Sequence, residues 1–530
     1  MAREATTDMV MAMDTVTAGV GTDVSRRPES FPRRPIWQAL AAASLTLASA
    51  SAAAQGVTVA KTLSVSETFT DNVGAAENGT AGSDWITQIS PGIAISRRSG
   101  RLSGSLSASV NGQLYANDSS RNTSYLQLAS NGAFVAVDDL LFVDFGASIK
   151  RENVSAFSSG TLGDEFNSTN QSLVRRFFLA PRLAFRVGKD INGGVSYRQE
   201  WTSGGGSVLD NRNQRTIALS LSNPLAFGPF GWDLNFQDKD SDSGGTMRSV
   251  SSQTATATLI YAVSPQLKLR LIGGHERNDY SVGEDVSRSF SGGGVDWQPN
   301  SRTNLSATAE NRFFGTAYNV SFTHRMPLSS FDLGYVRDVA STETTAFVSA
   351  ADLLYPTIYG SLGSITDPAE REAAARALAV LLGSGVPPIG FLTNTDFIDR
   401  SAWFGFAING ARNTLAFRVS RSERSALSPD LALVSSDDLS AYSKTVTKAS
   451  SISLQHRLSA LSSLTVSYSY SDAKGEGTTT QDVRRRALTG GFSTKLSPRT
   501  SVSLVLRHQS ASGSYDYTEN ALVASVSTRF

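Results

Sequence analysis

The feature that most constrains this chain is an alternation of apolar and polar residues that recurs from about residue 55 to the end of the sequence. Between 102 and 114, Leu, Gly, Ala and Val occupy the even positions, and Ser, Asn and Gln occupy the odd ones. Successive side chains of a β-strand point to opposite faces, so period-two alternation predicts strands whose two faces meet different media. The sequence therefore predicts an all-β protein.

The connections between the predicted strands alternate between short turns and longer polar loops. Short turns are predicted at 98–101, 137–140, 187–190, 224–230, 264–266, 298–302, 326–330, 409–413, 459–462 and 498–502. Outer-membrane barrels of bacteria have short periplasmic turns and longer extracellular loops, which produces this rhythm. We therefore expect a transmembrane, antiparallel, up-and-down β-barrel of about 22 strands, within a range of roughly 18 to 24, in the cell outer membrane.

The last strand of such a barrel must pair with the first and leave no edge in lipid. The final residues of the chain place Phe530, Thr528, Val526, Ala524 and Leu522 on one mostly apolar face. A terminal phenylalanine with apolar residues at every second position resembles the C-terminal assembly signal of outer-membrane barrels. We therefore assign Phe530, Val526, Ala524 and Leu522 to recognition by the barrel-assembly machinery.

Residues 1–54 have the features of a targeting segment. Arg33 and Arg34 precede a short apolar stretch that begins at Ile36 and ends in a run of alanines up to Ala54. A positive flank, an apolar core and a small-residue cleavage site are the parts of a secretory signal. The strongly apolar portion is shorter than the ~20 residues that a spanning helix needs. We expect a signal peptide with an N-terminal extension over 1–54 and one barrel domain over 55–530.

One segment departs from the strand pattern. Asp367 can cap a helix, Pro368 suits its first position and Glu370 completes a capping box, which predicts a helix near 367–383. This helix lies within the longest extracellular connection, roughly residues 339–399. A barrel of about 22 strands encloses a wide lumen. The insertion therefore either folds into the lumen as a constriction or forms a cap on neighbouring loops, and the sequence leaves both open.

Composition and motifs argue against catalysis and against nucleic-acid binding. The chain has no cysteine and a formal net charge of +1, which excludes cysteine nucleophiles, cysteine-ligated metals and a global basic field. No HExxH or G-x-S-x-G motif is present, and the histidines are scattered at positions 275, 324, 456 and 508. We predict that the protein is not an enzyme and has no cofactor.

Three aspartates have the spacing of a calcium-binding loop. Asp238, Asp240 and Asp242 alternate along the chain, but the following glycine falls one place late and no glutamate occupies the twelfth position. We therefore interpret them as solvated loop carboxylates and predict no metal site.

Several stretches resemble one family. They are LSVSETFTDNV (63–73), DWITQISPGIAIS (84–96), YLQLASNGAFVAVDDLLFVDFGASI (125–149) and PPIGFLTNTDFI (387–398). They are similar to outer-membrane proteins associated with PEP-CTERM/exosortase systems, and the resemblance runs from residue 60 to the end. Members are encoded beside exopolysaccharide and protein-sorting machinery of Gram-negative bacteria. The resemblance implies a cellular context and supplies no functional residues.

Two functions of different classes follow. The first is a porin-like channel, or an export or assembly component, for exopolysaccharide or a surface-sorting system, with Lys268, Arg270, Glu310 and Arg507 as lumen charges. Mixed signs predict little ion selectivity. The alternative is a structural surface anchor whose extracellular loops bind polymer or proteins without transport. The expected partners are outer-membrane lipid, the barrel-assembly machinery, and exopolysaccharide with its export machinery, without nucleic acid.

Overall fold

The computed structural model describes residues 56–97, 100–158, 168, 170–204, 211–244, 249–281, 284–341, 350–362, 371, 375–376, 378–379, 382, 391–393, 396–427, 437–477 and 480–530. The predicted signal peptide and extension, 1–54, lie outside these residues. All structural statements below concern the described part of the chain.

Twenty-two strands form the described body of the protein. They are β1 (Val57–Thr70), β2 (Asp84–Arg97), β3 (Leu102–Tyr115), β4 (Thr123–Val137), β5 (Leu141–Asn153), β6 (Gln171–Val187), β7 (Ile191–Gly204), β8 (Arg212–Phe227), β9 (Phe230–Ser243), β10 (Val250–Ser264), β11 (Leu267–Ser281), β12 (Glu284–Asn300), β13 (Thr303–Arg312), β14 (Gly315–Arg325), β15 (Ser329–Ala340), β16 (Phe397–Asn409), β17 (Asn413–Ala426), β18 (Lys444–Arg457), β19 (Ser462–Glu476), β20 (Gln481–Lys495), β21 (Thr500–Gly513) and β22 (Tyr517–Arg529).

Each strand pairs with its sequence neighbours in antiparallel fashion, and β1 also pairs with β22. The sheet is therefore a closed up-and-down barrel without a free edge, as the sequence predicts. All ten predicted short turns connect the strand pairs from β2–β3 to β20–β21 at one end of the barrel. Gly188 and Gly228 lie in two of them with φ of 66° and 63°, a left-handed conformation that glycine adopts without a steric cost.

The alternation along each strand separates an apolar exterior from a polar interior. On β22, Val526 is 47% exposed and Phe530, just beyond the strand, is 66% exposed, whereas Glu519 on the other face is fully buried. Large apolar side chains are exposed in the same way on most of the other strands. A closed barrel with an apolar outer belt satisfies its backbone hydrogen bonds internally, as lipid requires. The protein is an integral outer-membrane barrel.

Helices are few among the described residues. A 3-10 helix spans Ser119–Arg121, and two α-helices span Ala350–Ser361 (α1) and Asp438–Ala441 (α2). No helix in the described part of the chain is long and apolar enough to cross a bilayer. Of the helix predicted near 367–383, residues 371, 375–376, 378–379 and 382 are described as helical. The rest of that helix lies outside the described residues, so its bounds stay a prediction.

Candidate functional site: the lumen and the loops that enter it

The β15–β16 connection contains α1, which lies inside the barrel. This helix was not predicted from the sequence. Leu354 and Ile358 of α1, and Leu362 directly after it, are spaced by four residues and lie on one side. Each is at most 5% exposed, and they pack on Ala407 of β16 and Ala416 of β17. These alanines alternate with lipid-facing residues and therefore point into the lumen. Their small side chains let the helix approach the wall closely.

Polar contacts hold α1 deep in the lumen. The Thr357 hydroxyl donates to Asp332 of β15, and the Ser330 hydroxyl donates to the Thr357 carbonyl. Ser330 is the second residue of β15, directly after a short turn, so the helix reaches the periplasmic end of the barrel. Of the two placements that the sequence leaves open, α1 takes the one inside the lumen.

Asp332 also contacts two side chains of the next two strands, β16 and β17. The Trp403 Nε1–H donates to Asp332 at 3.1 Å, and an Arg418 guanidinium nitrogen lies 3.6 Å from the same carboxylate. Farther round the wall, the Ser453 hydroxyl on β18 donates to the Leu382 carbonyl at 2.8 Å. The insertion therefore contacts four consecutive strands, through hydrogen bonds to β15 and β18 and through apolar packing on β16 and β17.

The last part of the insertion crosses the extracellular mouth of the barrel. Leu392 is fully buried beside Val174 of β6, and its backbone N–H donates to the Asn153 carbonyl of β5 at 3.2 Å. Nine strands separate β6 from β16 in one direction and eleven in the other, so this contact lies almost opposite the start of β16. Residues 391–393 and Asp396, which we call the crossing segment, therefore connect the start of β16 to β5 and β6 across the mouth.

Buried ion pairs anchor this crossing segment to two further strands. Asp396 lies 3.1 Å from Arg212 of β8 and 3.8 Å from Lys239 of β9. Burial alone would raise the pKa of Asp396, but Arg212 and Lys239 hold it below its usual value. Asp396 is therefore ionised when the segment lies across the mouth.

Two other extracellular loops meet the insertion. Asp438, at the start of α2 in the β17–β18 loop, accepts hydrogen bonds at 2.7 Å from the Ser155 hydroxyl and from the Ala156 backbone N–H, both in the β5–β6 loop. Leu439, the next residue of α2, packs on the crossing segment at Phe391. Burial raises the pKa of Asp438 to about 6, although the Ser155 hydrogen bond acts in the opposite direction. We call this three-loop assembly the mouth cluster.

The inner wall has two sectors of different chemistry. The hydroxyl sector, on β19–β22 and β1–β3, is lined mainly by small polar side chains. It includes Ser463, Thr465, Ser467, Ser469, Ser501, Ser503, Ser525, Ser527, Thr62, Ser64, Ser66, Ser103, Ser105, Ser107 and Ser109. Some of them bond across strands, as in Ser503 with Ser525 at 2.7 Å. Others do not: the Ser469 and Thr489 hydroxyls are buried and have no hydrogen-bond partner among the described residues.

The charged sector, on β5–β17, contains several ion pairs. Its ion pairs are Arg176 with Glu152 at 2.6 Å, Arg182 with Asp144 at 2.8 Å, Arg312 with Glu276 at 2.7 Å, and Arg270 with Asp296. The strand alternation turns all four predicted lumen charges inward, namely Lys268, Arg270, Glu310 and Arg507. Arg507 belongs to a separate pair, with Glu519 at 3.1 Å.

The predicted assembly residues lie on the outer face of the closing strand. Val526 is in register with Val65 of β1, and the Phe530 backbone N–H donates to the Lys61 carbonyl at 2.9 Å. Leu522 and Ala524 share this lipid-facing side. Their role in assembly stays a prediction.

The aspartates with calcium-loop spacing do not lie in a loop. Asp238, Asp240 and Asp242 fall within β9, where Asp238 and Asp240 both pair with Arg215. The loop interpretation was wrong because the strand continues to Ser243. No group of three or more His, Asp or Glu side chains within the described ranges could hold a metal ion.

The four histidines lie apart, and all point outward. Each is bonded to a neighbouring strand: His275 to Ser287 and Ser289, His324 to Thr303, His456 to Asn413, and His508 to Asn520. The fold therefore brings no two of them together.

Comparisons with known proteins match the architecture alone. No protein-family model matches the sequence, and no curated protein does. Among solved structures, the siderophore receptor PirA from Pseudomonas aeruginosa has a TM-score of 0.43 and 10% identity, over 89% of this chain and 80% of that one. The ferric enterobactin receptor PfeA from the same organism has a TM-score of 0.45 and 9% identity over the same shares. OccK8 (OprE), also from P. aeruginosa, has a TM-score of 0.31 and 11% identity, over 89% of this chain and 98% of that one. All three scores are below 0.5 and carry no inference about ligand or activity.

Proposed function

We propose that the protein is an outer-membrane channel for a polar polymer, closed at rest by the β15–β16 insertion. The observation that carries this proposal is the position of α1, bonded to the lumen wall at Ser330 and Asp332 rather than packed above the barrel. The helix α1 on the lumen wall and the crossing segment at the mouth both lie in the path through the barrel. Passage then requires the insertion to move.

The hydroxyl sector supports a polymer of sugars as the substrate. Serine and threonine hydroxyls both donate and accept hydrogen bonds, so they match the hydroxyl groups of a carbohydrate without adding charge. The resemblance to PEP-CTERM/exosortase-associated outer-membrane proteins favours exopolysaccharide, or a surface-sorting system linked to it, as the process served.

The structure also favours the insertion as a separable element. Ala340 at the end of β15 is in direct register with Phe397 at the start of β16. Paired strand ends can be joined by a short hairpin turn, so the insertion can be removed without opening the barrel.

The test is single-channel conductance in planar bilayers. Residues 342–395 are replaced by a short Gly-Ser turn, and a milder variant, Thr357→Val, removes one anchor of α1. As a matched control, Thr256→Val removes a hydroxyl from the inner wall of β10, away from the insertion and outside the hydroxyl sector. We expect a low conductance for the native chain, a large increase in the deletion variant, more frequent openings in Thr357→Val and no change in Thr256→Val.

The second candidate is a structural anchor without transport. The mouth cluster favours it, because three loops from distant parts of the chain are joined by a polar contact at Asp438 and by apolar packing at Leu439. A deletion variant that conducts no better than the native chain would refute the closed-channel proposal and leave the anchor. A strain lacking the protein should lose surface polysaccharide if the barrel exports it, and an intact polymer coat would contradict export.

A further inference from the structure

The outer surface of the barrel carries a group of cations at the extracellular ends of four neighbouring strands. They are Arg421 of β17, Lys448 of β18, Lys474 of β19, and Arg484 and Arg486 of β20, and we call them the basic patch. All five side chains are exposed. Each is separated from a lipid-facing residue of the same strand by an even number of positions, so its side chain points away from the lumen.

Strand register places two of these cations directly opposite each other. Arg421 is directly opposite Lys448, with like charges in register, an arrangement that is unfavourable unless something compensates it. Arg421 pairs with Glu423 at 3.1 Å and Arg484 with Asp482 at 3.3 Å.

The other three cations have no such partner. Lys448, Lys474 and Arg486 form no ion pair within the described part of the chain. In strand register, Asp472 lies opposite Lys448 and Arg484, and Asp482 lies opposite Lys474. Five cations against the three carboxylates Glu423, Asp472 and Asp482 leave the patch an excess of two positive charges.

The height of the patch coincides with the border of the apolar belt. Directly below it, Val419, Ile452, Tyr468 and Leu488 are 41% to 49% exposed on the same outward face. Between belt and patch, Tyr470 of β19 is in register with Arg486. Tyrosine on a lipid-facing surface marks the level of the headgroups. The cations therefore lie where the polar groups of the outer leaflet begin.

At the same height on the opposite side of the barrel, the charge of the outer surface is different. On β8 and β9, Arg215 is neutralised by Asp238 and Asp240, and on β11, Arg277 pairs with Asp285 at 3.0 Å. Arg215 and Arg277 on this side are thus matched by carboxylates, and Arg175 of β6, which forms no ion pair within the described part of the chain, lies opposite the uncharged Ile149 and Ser203. The cluster of several cations therefore belongs to β17–β20.

We propose that the basic patch binds the phosphate groups of an outer-leaflet lipid. Its cations line the surface just above the acyl chains, so the lipid would place its tails on the apolar belt and its phosphates between Lys448, Lys474 and Arg486. Charge-assisted hydrogen bonds from lysine and arginine to phosphate are strong, and the like-charged neighbours of the patch are relieved when an anion binds. The proposal is independent of what passes through the lumen.

The test is the affinity of the purified full-length protein in neutral detergent for diphosphoryl lipid A, with monophosphoryl lipid A as the second probe. A triple variant, Lys448→Gln, Lys474→Gln and Arg486→Gln, should bind the diphosphoryl lipid at least about tenfold more weakly. A charge-retaining variant, Lys448→Arg, Lys474→Arg and Arg486→Lys, should bind as the native protein does. Binding should also weaken as salt is added, and the monophosphoryl lipid should bind less tightly.

A matched control removes the same amount of charge from the other side of the barrel, by Arg175→Gln, Arg215→Gln and Arg277→Gln. This control should keep native affinity, and heat-modifiable mobility on a denaturing gel reports that each variant is folded. Native affinity in the Lys448, Lys474 and Arg486 triple variant would overturn the proposal. An equal loss in the control would also overturn it, because the effect would then be one of net charge alone.

Discussion

Acid should tighten the mouth cluster, and Asp438 is the group responsible. This carboxyl is 7% exposed and joins α2 to the β5–β6 loop through Ser155 and Ala156. Its pKa rises from an ordinary 3.8 to about 6 because burial disfavours the charged form. The docked loops therefore bind a proton more tightly at Asp438 than the separated loops do.

The sign and the size follow from linkage. Because the docked state has the higher pKa, its stability is greatest below about pH 4 and is lost as the pH rises through about 6. A difference of about two pKa units corresponds to about 3 kcal/mol over the whole range. About 1.4 kcal/mol of this total falls between roughly pH 5 and 7.5, which is about tenfold in the docking equilibrium.

Hydrogen exchange measures this directly. Amides of residues 154–158 and 437–443, corrected for the intrinsic effect of pH on exchange, should be about tenfold less protected at about pH 7.5 than at about pH 5. Asp438→Asn is uncharged at both values and should show no such difference. Amides in the middle of the barrel strands serve as the internal reference.

Two results would refute this reasoning. One is equal protection of both loops at the two pH values in the native protein, which would mean that Asp438 keeps an ordinary pKa. The other is a pH dependence that survives in Asp438→Asn, which would assign it to another group.

Three further predictions concern the barrel itself. Glu519→Ala leaves the Arg507 guanidinium buried without its carboxylate, so the folded barrel should lose about 3–5 kcal/mol in urea titrations, whereas Glu519→Gln should cost less. An added Cβ at Gly334 would lie 2.0 Å from the Trp403 ring, so Gly334→Ala should lower the unfolding midpoint by the equivalent of about 1–3 kcal/mol and change tryptophan fluorescence. Deletion of Phe530 should reduce the folded barrel recovered from outer membranes, while the refolded protein loses no more than about 1 kcal/mol, since one backbone hydrogen bond is removed. If the deletion variant were recovered from outer membranes in the native amount, Phe530 would not be an assembly signal.

The architecture could be predicted because its signals are local. Alternation over a few residues predicts a strand, and the composition of a short segment predicts a turn. The number and order of the strands can therefore be predicted from the sequence of these local signals along the chain. Closure needs no further information once an even number of strands is joined by alternating turns and loops. The inward direction of Lys268, Arg270, Glu310 and Arg507 follows from the same alternation.

The contents of the lumen could not be predicted in this way. The spacing of Leu354, Ile358 and Leu362 is a helix signal that a search for caps alone overlooks, and it states nothing about which wall the helix meets. The segment Asp238 to Asp242 shows the opposite error, because a motif for a loop also satisfies the pattern of a strand.

The sequence by itself determined that this chain forms a barrel with an apolar exterior and a polar interior, because apolar and polar side chains alternate every two residues along its strands. Only the tertiary structure decided that Asp438 meets Ser155 and that Leu392 reaches β6. These contacts join segments hundreds of residues apart that become neighbours only when the ring of strands closes. No local sequence pattern predicts these contacts, because each partner is determined by the geometry of the closed barrel rather than by neighbouring residues in the chain.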